Sequence, residues 1–302
     1  MKTTLGILTG LAILSAAVPA PAQAPVDASA EQATYRVNIA GRQRMLSQRI
    51  AKAACLRAIG ADAATYDAQL AAAHTLFSAT DQALRAGDPA QDLPPERFNT
   101  VIAALEALTP SVMAYDRLIA RTQAAPDLDA EAMLALDEVA VDVLTRMNAA
   151  VNTMARAYGS VTPDVPLALT ITVDVAGRQR MLTQKAVKEA CLMRVADDPA
   201  IYAERLAGTV QIFDLSLDAL QTGFADAGVL AAPTPEVEEG LAEVEALWLP
   251  VKAVLDGAAG GVVLDQQALR DLAVATEPLL ARMNAVVGLY ELVDPATLTG
   301  TN

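Results

Sequence analysis

The feature that most constrains the fold of this chain is an internal duplication at a spacing of 136 residues. Residues 37–56 read VNIAGRQRMLSQRIAKAACL, and residues 173–192 read VDVAGRQRMLTQKAVKEACL, with agreement at 13 of 20 positions. The same offset relates RMNAAV, residues 146–151, to RMNAVV, residues 282–287. A period of this length indicates two copies of one domain, because the units of solenoid proteins are only ~20–50 residues long.

Each copy is punctuated by Gly, Pro and Asp in a way that predicts four helices. The low aromatic content of 4% and the abundance of Ala also favour helix over strand. The predicted helices lie at roughly 31–59, 63–87, 94–121, 128–158, 168–195, 200–224, 235–257 and 265–292. Because short loops join long amphipathic helices, we predict an all-α fold of two tandem antiparallel four-helix bundles. The stretch GSVTPDVP marks the boundary, giving a first copy at 23–159, a linker at 160–166 and a second copy at 167–302.

The N-terminus has the pattern of an export signal. Lys2 supplies a positive charge, and the apolar run at 5–18 is too short to span a bilayer, which needs ~20 residues. Cleavage after Ala22 satisfies the small-x-small rule. No later segment reads as a membrane span. We therefore expect a signal peptide at 1–22 and a soluble periplasmic chain that does not insert into the membrane.

The composition argues against several classes of protein. A net charge of −14 disfavours nucleic acid and anionic membranes as partners. A single histidine, His74, cannot supply the paired Glu-x-x-His ligands of a di-iron bundle. The chain has no haem-attachment motif, no phosphate loop and no Ser-His-Asp set. We expect no metal, no cofactor and no enzymatic activity.

The repeated segment places one arginine in a stripe of small residues. On a helix, the residues within ~60° of Arg44 are small and apolar except for Gln48, and Arg180 has an equivalent setting. Small residues allow close helix contact, so these arginines are expected to be buried. A buried guanidinium needs an anionic partner, which can be a carboxylate of the protein or a bound oxyanion.

The local charge favours an oxyanion from outside. Residues 36–57 contain six basic residues and no acidic one. Of these, Arg42, Arg49 and Arg57 lie on the opposite face and are expected to be solvated. The other repeated element, RMN at 146–148 and 282–284, offers Arg and Asn as further donors to a site, but a packing role for its Met with exposed polar neighbours is the favoured interpretation.

The segments AGRQRMLSQR (40–49) and AGRQRMLTQK (176–185) resemble the signature of the PilJ-type N-terminal domain, which is shared with periplasmic nitrate/nitrite sensor domains. The resemblance implies four-helix bundles that dimerise, with the arginine before Met on the first helix of each protomer clasping nitrate or nitrite. By motif position these arginines are Arg44 and Arg180. The resemblance also implies chemotaxis-like signal transduction and a membrane-bound receptor or kinase as partner. The candidate ligand-binding residues are Arg44, Arg180, Gly41, Gly177, Gln48, Gln184, Ser47 and Thr183.

The tandem arrangement suggests that the two copies reproduce such a dimer within one chain. Helices 37–59 and 173–195 would then pack in parallel, with Arg44 facing Arg180. Equal register would also bring Cys55 near Cys191, where a disulfide can form if the Cα atoms lie within ~7 Å. Two small buried thiols in separate bundles are the alternative.

Two functions remain open from the sequence. The first is an exported sensory protein that binds a small oxyanion through Arg44 and Arg180. The second is a helical periplasmic adaptor in which these arginines are structural and no small ligand binds.

Overall fold

The computed structural model describes residues 30–125, 128–161 and 167–300. The predicted signal peptide at 1–22 lies outside the described residues, as do residues 162–166 of the predicted linker.

Both copies are built from four long helices, as predicted. Those of the first copy are α1 (Ala30–Ala58), α2 (Ala63–Ala86), α3 (Asn99–Ala124) and α4 (Ala130–Val161). Those of the second copy are α5 (Leu167–Leu192), α6 (Pro199–Thr222), α7 (Pro235–Ala259) and α8 (Gln266–Glu291). In the described residues all other regular structure consists of short 3-10 turns and two isolated bridges. The all-α prediction of tandem helical bundles is confirmed.

The largest difference from the predicted helices lies at the start of α3, which begins at 99 rather than at 94. Asp88 pairs with Leu93 in an isolated bridge that closes a 3-10 turn. Pro94 and Pro95 follow, and a proline disfavours helical geometry in the residue before it. The equivalent loop of the second copy has the same bridge, between Phe224 and Val229.

The first helices of the two copies form the centre of the molecule. Helix α1 packs on α2 and α4 within its own copy, and α5 packs on α6 and α8. The most extensive contact between any two helices is the one between α1 and α5. Because these two helices are covered on nearly all sides, their charged side chains lie inside the protein.

Helices α1 and α5 run parallel and in register. Cys55 and Cys191, which occupy equivalent positions, are joined by a disulfide with a Cα–Cα distance of 6.3 Å. Three turns away, the equivalent residues Arg44 and Arg180 also meet across the interface. Because two pairs of equivalent residues meet at separate heights, the copies pack as the pseudo-dimer that the duplication suggested.

One helix among the described residues, α8, is long and apolar enough to cross a membrane, although we predicted no such segment. It packs against α5 and α7, and 44% of its apolar stretch is buried. Core helices of helical bundles meet the same criterion of length and composition.

Candidate functional site

The two repeated arginines converge on the glycines that precede them. A Cβ added to Gly41 would lie 3.1 Å from Nη2 of Arg44 and 3.4 Å from Nη2 of Arg180. A Cβ on Gly177 would lie 3.1 Å from Nη2 of Arg180 and 3.6 Å from Nη2 of Arg44. The missing side chains therefore make the space in which both guanidinium groups meet. We call Arg44, Arg180 and the side chains that contact them the arginine layer.

Arg44 is paired with a carboxylate from the other copy. Its side chain is 0% exposed, and Nη2 lies 2.6 Å from Oδ1 of Asp174 on α5. Both groups are charged, so this contact is an ion pair between the two copies. Nη2 also donates to the Asp174 carbonyl at 3.3 Å, and Nη1 donates to Oδ1 of Asn148 on α4 at 3.1 Å.

Arg180 has only neutral partners. It is 3% exposed, and Nη1 donates to Oδ1 of Asn284 at 3.3 Å. Nη2 donates to the Asn38 carbonyl at 3.2 Å, and Nε donates to the Gly177 carbonyl at 3.4 Å. In the part of the chain that the structure describes, no carboxylate forms an ion pair with Arg180. Its positive charge is therefore buried without a contacting counter-ion.

A single sequence difference between the copies causes this asymmetry. The carbonyl groups of Asn38 and Asp174 accept equivalent hydrogen bonds from the opposite arginine. Asp174 adds a carboxylate at that point, whereas the Asn38 side chain donates to Oε1 of Glu291 at 2.7 Å. The first copy of the motif thus supplies no charge where the second supplies one.

The titration behaviour of the layer follows from its burial. Burial, followed by the charge of Arg44, lowers the pKa of Arg180 to about 9, which leaves it charged at neutral pH. Burial also lowers the pKa of Arg44 against the opposing effect of Asp174. For Asp174, burial raises the pKa, but Arg44 and Arg178 outweigh it and hold the pKa below the usual range. All three groups are therefore ionised, and the contacting charges leave a cationic excess.

A second polar layer crosses the same interface about two turns further along. Lys52 of α1 pairs with Glu277 of α8 at 2.9 Å, and Lys188 of α5 pairs with Asp137 of α4. Both lysines are almost fully buried, at 0% and 1% exposure. Each pair joins one copy to the other, and Arg49 and Arg205 contact the same two carboxylates. We call this lysine layer balanced because each of its buried lysines contacts a carboxylate.

The predicted site residues are divided between these layers. Arg44, Arg180, Gly41 and Gly177 lie together. Gln48 belongs to the lysine layer, where its Oε1 accepts from Lys188 at 2.7 Å. Gln184 accepts from Arg49 at 3.2 Å. The remaining two predicted residues bond to the backbone of their own helices, Ser47 to the Arg44 carbonyl and Thr183 to the Gln179 carbonyl.

Comparison with known proteins agrees with this geometry. The family described as the type IV pili methyl-accepting chemotaxis transducer N-terminal domain, PilJ, matches residues 27–136 and again 170–277. The chain belongs to the PilJ family. It is also similar to the methyl-accepting chemotaxis protein McpN of Pseudomonas aeruginosa, with 34% identity over 119 residues. That match covers 39% of this chain and 21% of the length of McpN. The chain thus carries two tandem copies of a sensory domain that occurs in chemotaxis transducers.

The positive charges of the basic segment 36–57 are largely neutralised by partners from other helices of the protein. We expected Arg49 and Arg57 to be solvated, and this prediction was wrong. Arg57 is 8% exposed and donates to the Thr122 carbonyl at 2.6 Å, and the Arg49 side chain is 18% exposed and lies 2.8 Å from Glu277. Because acidic partners come from other helices, the absence of acidic residues within 36–57 did not indicate an external anion. Arg180, in the second copy of the motif, differs because no carboxylate of the described residues forms an ion pair with it.

Sequence reasoning ranked a donor role for two members of the arginine layer, Asn148 and Asn284, below a packing role, and it missed Asp174 altogether. Asn148 and Asn284 belong to the RMN element, and its retention in both copies was the available signal. The sequence prediction considered positions that are identical in the two copies, whereas Asp174 occupies a position at which they differ.

Solvent approaches the arginine layer from one side. Asp174 and Arg178 line a cavity of about 490 Å³ between α4, α5 and the loop after α6. Asn148 and Arg178 line a neighbouring groove of about 470 Å³ between α4, α5 and α6. Two residues that contact Arg44, one charged and one neutral, therefore reach accessible space.

Proposed function

We propose that this chain is a periplasmic sensory module that binds one small oxyanion, nitrate or nitrite first, between Arg44 and Arg180. The observation that carries the proposal is Arg180, a buried guanidinium that contacts only neutral oxygen atoms. Leaving such a charge without a counter-ion is costly, and a bound anion removes that cost. The tandem PilJ match supports a sensory role for the site.

The shape of the site suits a planar oxyanion. A guanidinium presents its donors in a flat fork that matches oxyanions with two oxygens in one plane. Two forks from opposite helices can hold one such anion between them. Gly41 and Gly177 leave the space, and Asn148 and Asn284 fix the orientation of the two arginines.

Signalling would follow from the position of the site. The arginine layer lies between α1 and α5, so an anion that draws the arginines together changes the packing of the two copies. A membrane-bound receptor or kinase would read that change. The similarity of the chain to chemotaxis transducers supports such a partner.

A structural adaptor is the second candidate. It is favoured by the Arg44–Asp174 pair, in which the protein itself satisfies one of the two arginines. In that case the layer only holds the copies together, and no small anion binds.

Isothermal titration calorimetry with sodium nitrate and sodium nitrite, in a buffer free of chloride, distinguishes the two. We expect saturable heat with the wild type and none with Arg180→Met. The matched control is Arg146→Met, which removes an arginine that is half exposed and pairs with Asp142 on its own helix. Loss of binding in both variants, or absence of binding in the wild type, contradicts the oxyanion proposal and favours the adaptor.

A further inference from the structure

We propose that Asp174 is an internal anion that competes with the external ligand for Arg44 and makes the site select singly charged anions. This inference rests on the proposed oxyanion site and assigns a specificity-determining residue within it. The Asp174 carboxylate already contacts Arg44, which is one of the two arginines that a shared anion would contact.

Asp174 has a second cationic partner besides Arg44. Its Oδ1 lies 2.6 Å from Nη2 of Arg44. Its Oδ2 accepts from Arg178, four residues later on the same helix, at 3.0 Å. The Arg178 side chain is 35% exposed, so the carboxylate keeps a cation when it leaves Arg44.

There is also space for the movement. Asp174 and Arg178 both line the cavity of about 490 Å³, together with Arg156. A carboxylate that rotates away from Arg44 therefore enters a space that already presents two guanidinium groups. An anion arriving from solvent meets Arg178 first and then the position that Asp174 vacates.

Charge sets the preference of the site. The buried side chains of Arg44, Arg180 and Asp174 together carry one net positive charge, and Asp174 keeps its charge at the edge of the layer when it turns towards the 35% exposed Arg178. One singly charged anion neutralises them, whereas a doubly charged anion leaves a buried negative excess, which is costly. Without Asp174 the two arginines carry two positive charges, and the balance shifts towards a doubly charged anion.

The equivalence of the two copies provides a reciprocal test, in which a carboxylate is placed beside Arg180. The Asn38 carbonyl is placed towards Arg180 as the Asp174 carbonyl is placed towards Arg44. Glu291, which Asn38 contacts, has Ala155 as its equivalent in the first copy. The double variant Asn38→Asp with Glu291→Ala therefore gives Arg180 the surroundings that Arg44 has now.

The experiment is calorimetric titration of sodium nitrate and sodium sulfate into the wild type and three variants in a chloride-free buffer. We expect Asp174→Asn to bind nitrate about tenfold more tightly, since it removes a competing charged contact, and to gain measurable sulfate binding. The double variant should lose nitrate binding. The control Asp142→Asn, which removes an exposed carboxylate paired with Arg146, should match the wild type.

The outcomes separate this inference from the proposed function. Nitrate binding by the wild type with no gain in Asp174→Asn overturns the competition and leaves the oxyanion site standing. Binding by Asp174→Asn but not by the wild type supports the competition and overturns the proposed function. If no protein gives binding heat, and circular dichroism shows that each is folded, both the inference and the proposed function are overturned. If Asp174→Asn fails to fold, unchanged nitrate affinity in the double variant overturns the inference.

Discussion

The arginine layer and the lysine layer lie on the same two helices and cross the same interface, but only one of them is balanced. Lys52 and Lys188 each contact a carboxylate from the opposite copy. Arg44 and Arg180 share one contacting carboxylate, Asp174. The spacing of the layers, eight residues on α1, corresponds to about 12 Å along a helix.

The difference separates two uses of buried charge. A balanced layer needs nothing from outside, and it fixes which helices meet because a buried ion needs its partner. An unbalanced layer carries a cost in the empty protein that a bound anion can relieve. We therefore expect the lysine layer to hold the two copies together, while the proposed anion would bind in the arginine layer.

The largest expected effect tests the lysine layer. Replacing Asp137 by Ala leaves Lys188 buried without a carboxylate, and we expect the free energy of unfolding to fall by about 3–5 kcal/mol. Glu277→Ala is the comparison, because the Glu277 side chain is 38% exposed and its loss should cost less. Urea denaturation measures both. Equal small losses would mean that this layer does not hold the copies together.

The disulfide between Cys55 and Cys191 should give the next largest effect. It closes a sequence separation of 136 residues, so we expect Cys55→Ala with Cys191→Ala to lower the free energy of unfolding by roughly 2–4 kcal/mol. The same denaturation experiment measures the change. Mass spectrometry without reductant provides the control, and two free thiols in the wild type would contradict the bridge.

The two arginines should respond in opposite directions to the same substitution. Arg44→Met removes a partner of the buried Asp174 and should lower the free energy of unfolding by about 1–3 kcal/mol. Arg180→Met removes a charge with no contacting counter-ion and should raise it, by on the order of 1 kcal/mol. Thermal and urea unfolding without added anion test this. Equal destabilisation by both substitutions would contradict the distinction between Arg44, which contacts a carboxylate, and Arg180, which does not.

The smallest effect concerns the pH dependence of stability. Burial lowers the pKa of Lys52 to about 8, against 10.5 when unfolded, although Glu277 opposes the shift. Between these values the unfolded chain binds more protons, so stability should rise with pH. The expected gain from pH 8 to 9.5 is on the order of 1 kcal/mol. Lys52→Met should remove most of this gain, and Arg180, whose pKa is about 9, accounts for the remainder.

Lys252, whose side chain is 28% exposed and which lies outside the lysine layer, supplies the control for that experiment. Its pKa is raised, chiefly by a hydrogen bond to Asp256, so Lys252→Met should keep the slope between pH 8 and 9.5. A wild-type stability that is flat or falling over this range would show that Lys52 is not titrating there.

The duplication made the fold predictable, because it gave the copy number and suggested the parallel meeting of α1 and α5, while Gly, Pro and Asp gave the helices apart from the start of α3. The burial of Arg44 and Arg180 followed from the small residues around them. The pairing of their charges did not follow, since Asp174 is distant from Arg44 in sequence and reaches it only through the packing of the copies. Arg57 was misread for the same reason, because its partners, the carboxylate of Asp67 and the carbonyl of Thr122, come from other helices.

The parallel packing of α1 and α5 also has a genetic consequence. In a dimer of identical chains every substitution appears twice, so a carboxylate at this position would face both arginines or neither. Fusion of the two copies removes that constraint, and Asp174 can arise on one side alone while Asn38 remains on the other. Fusion also fixes the effective concentration of the two half-sites, so anion affinity should not vary with the concentration of the protein.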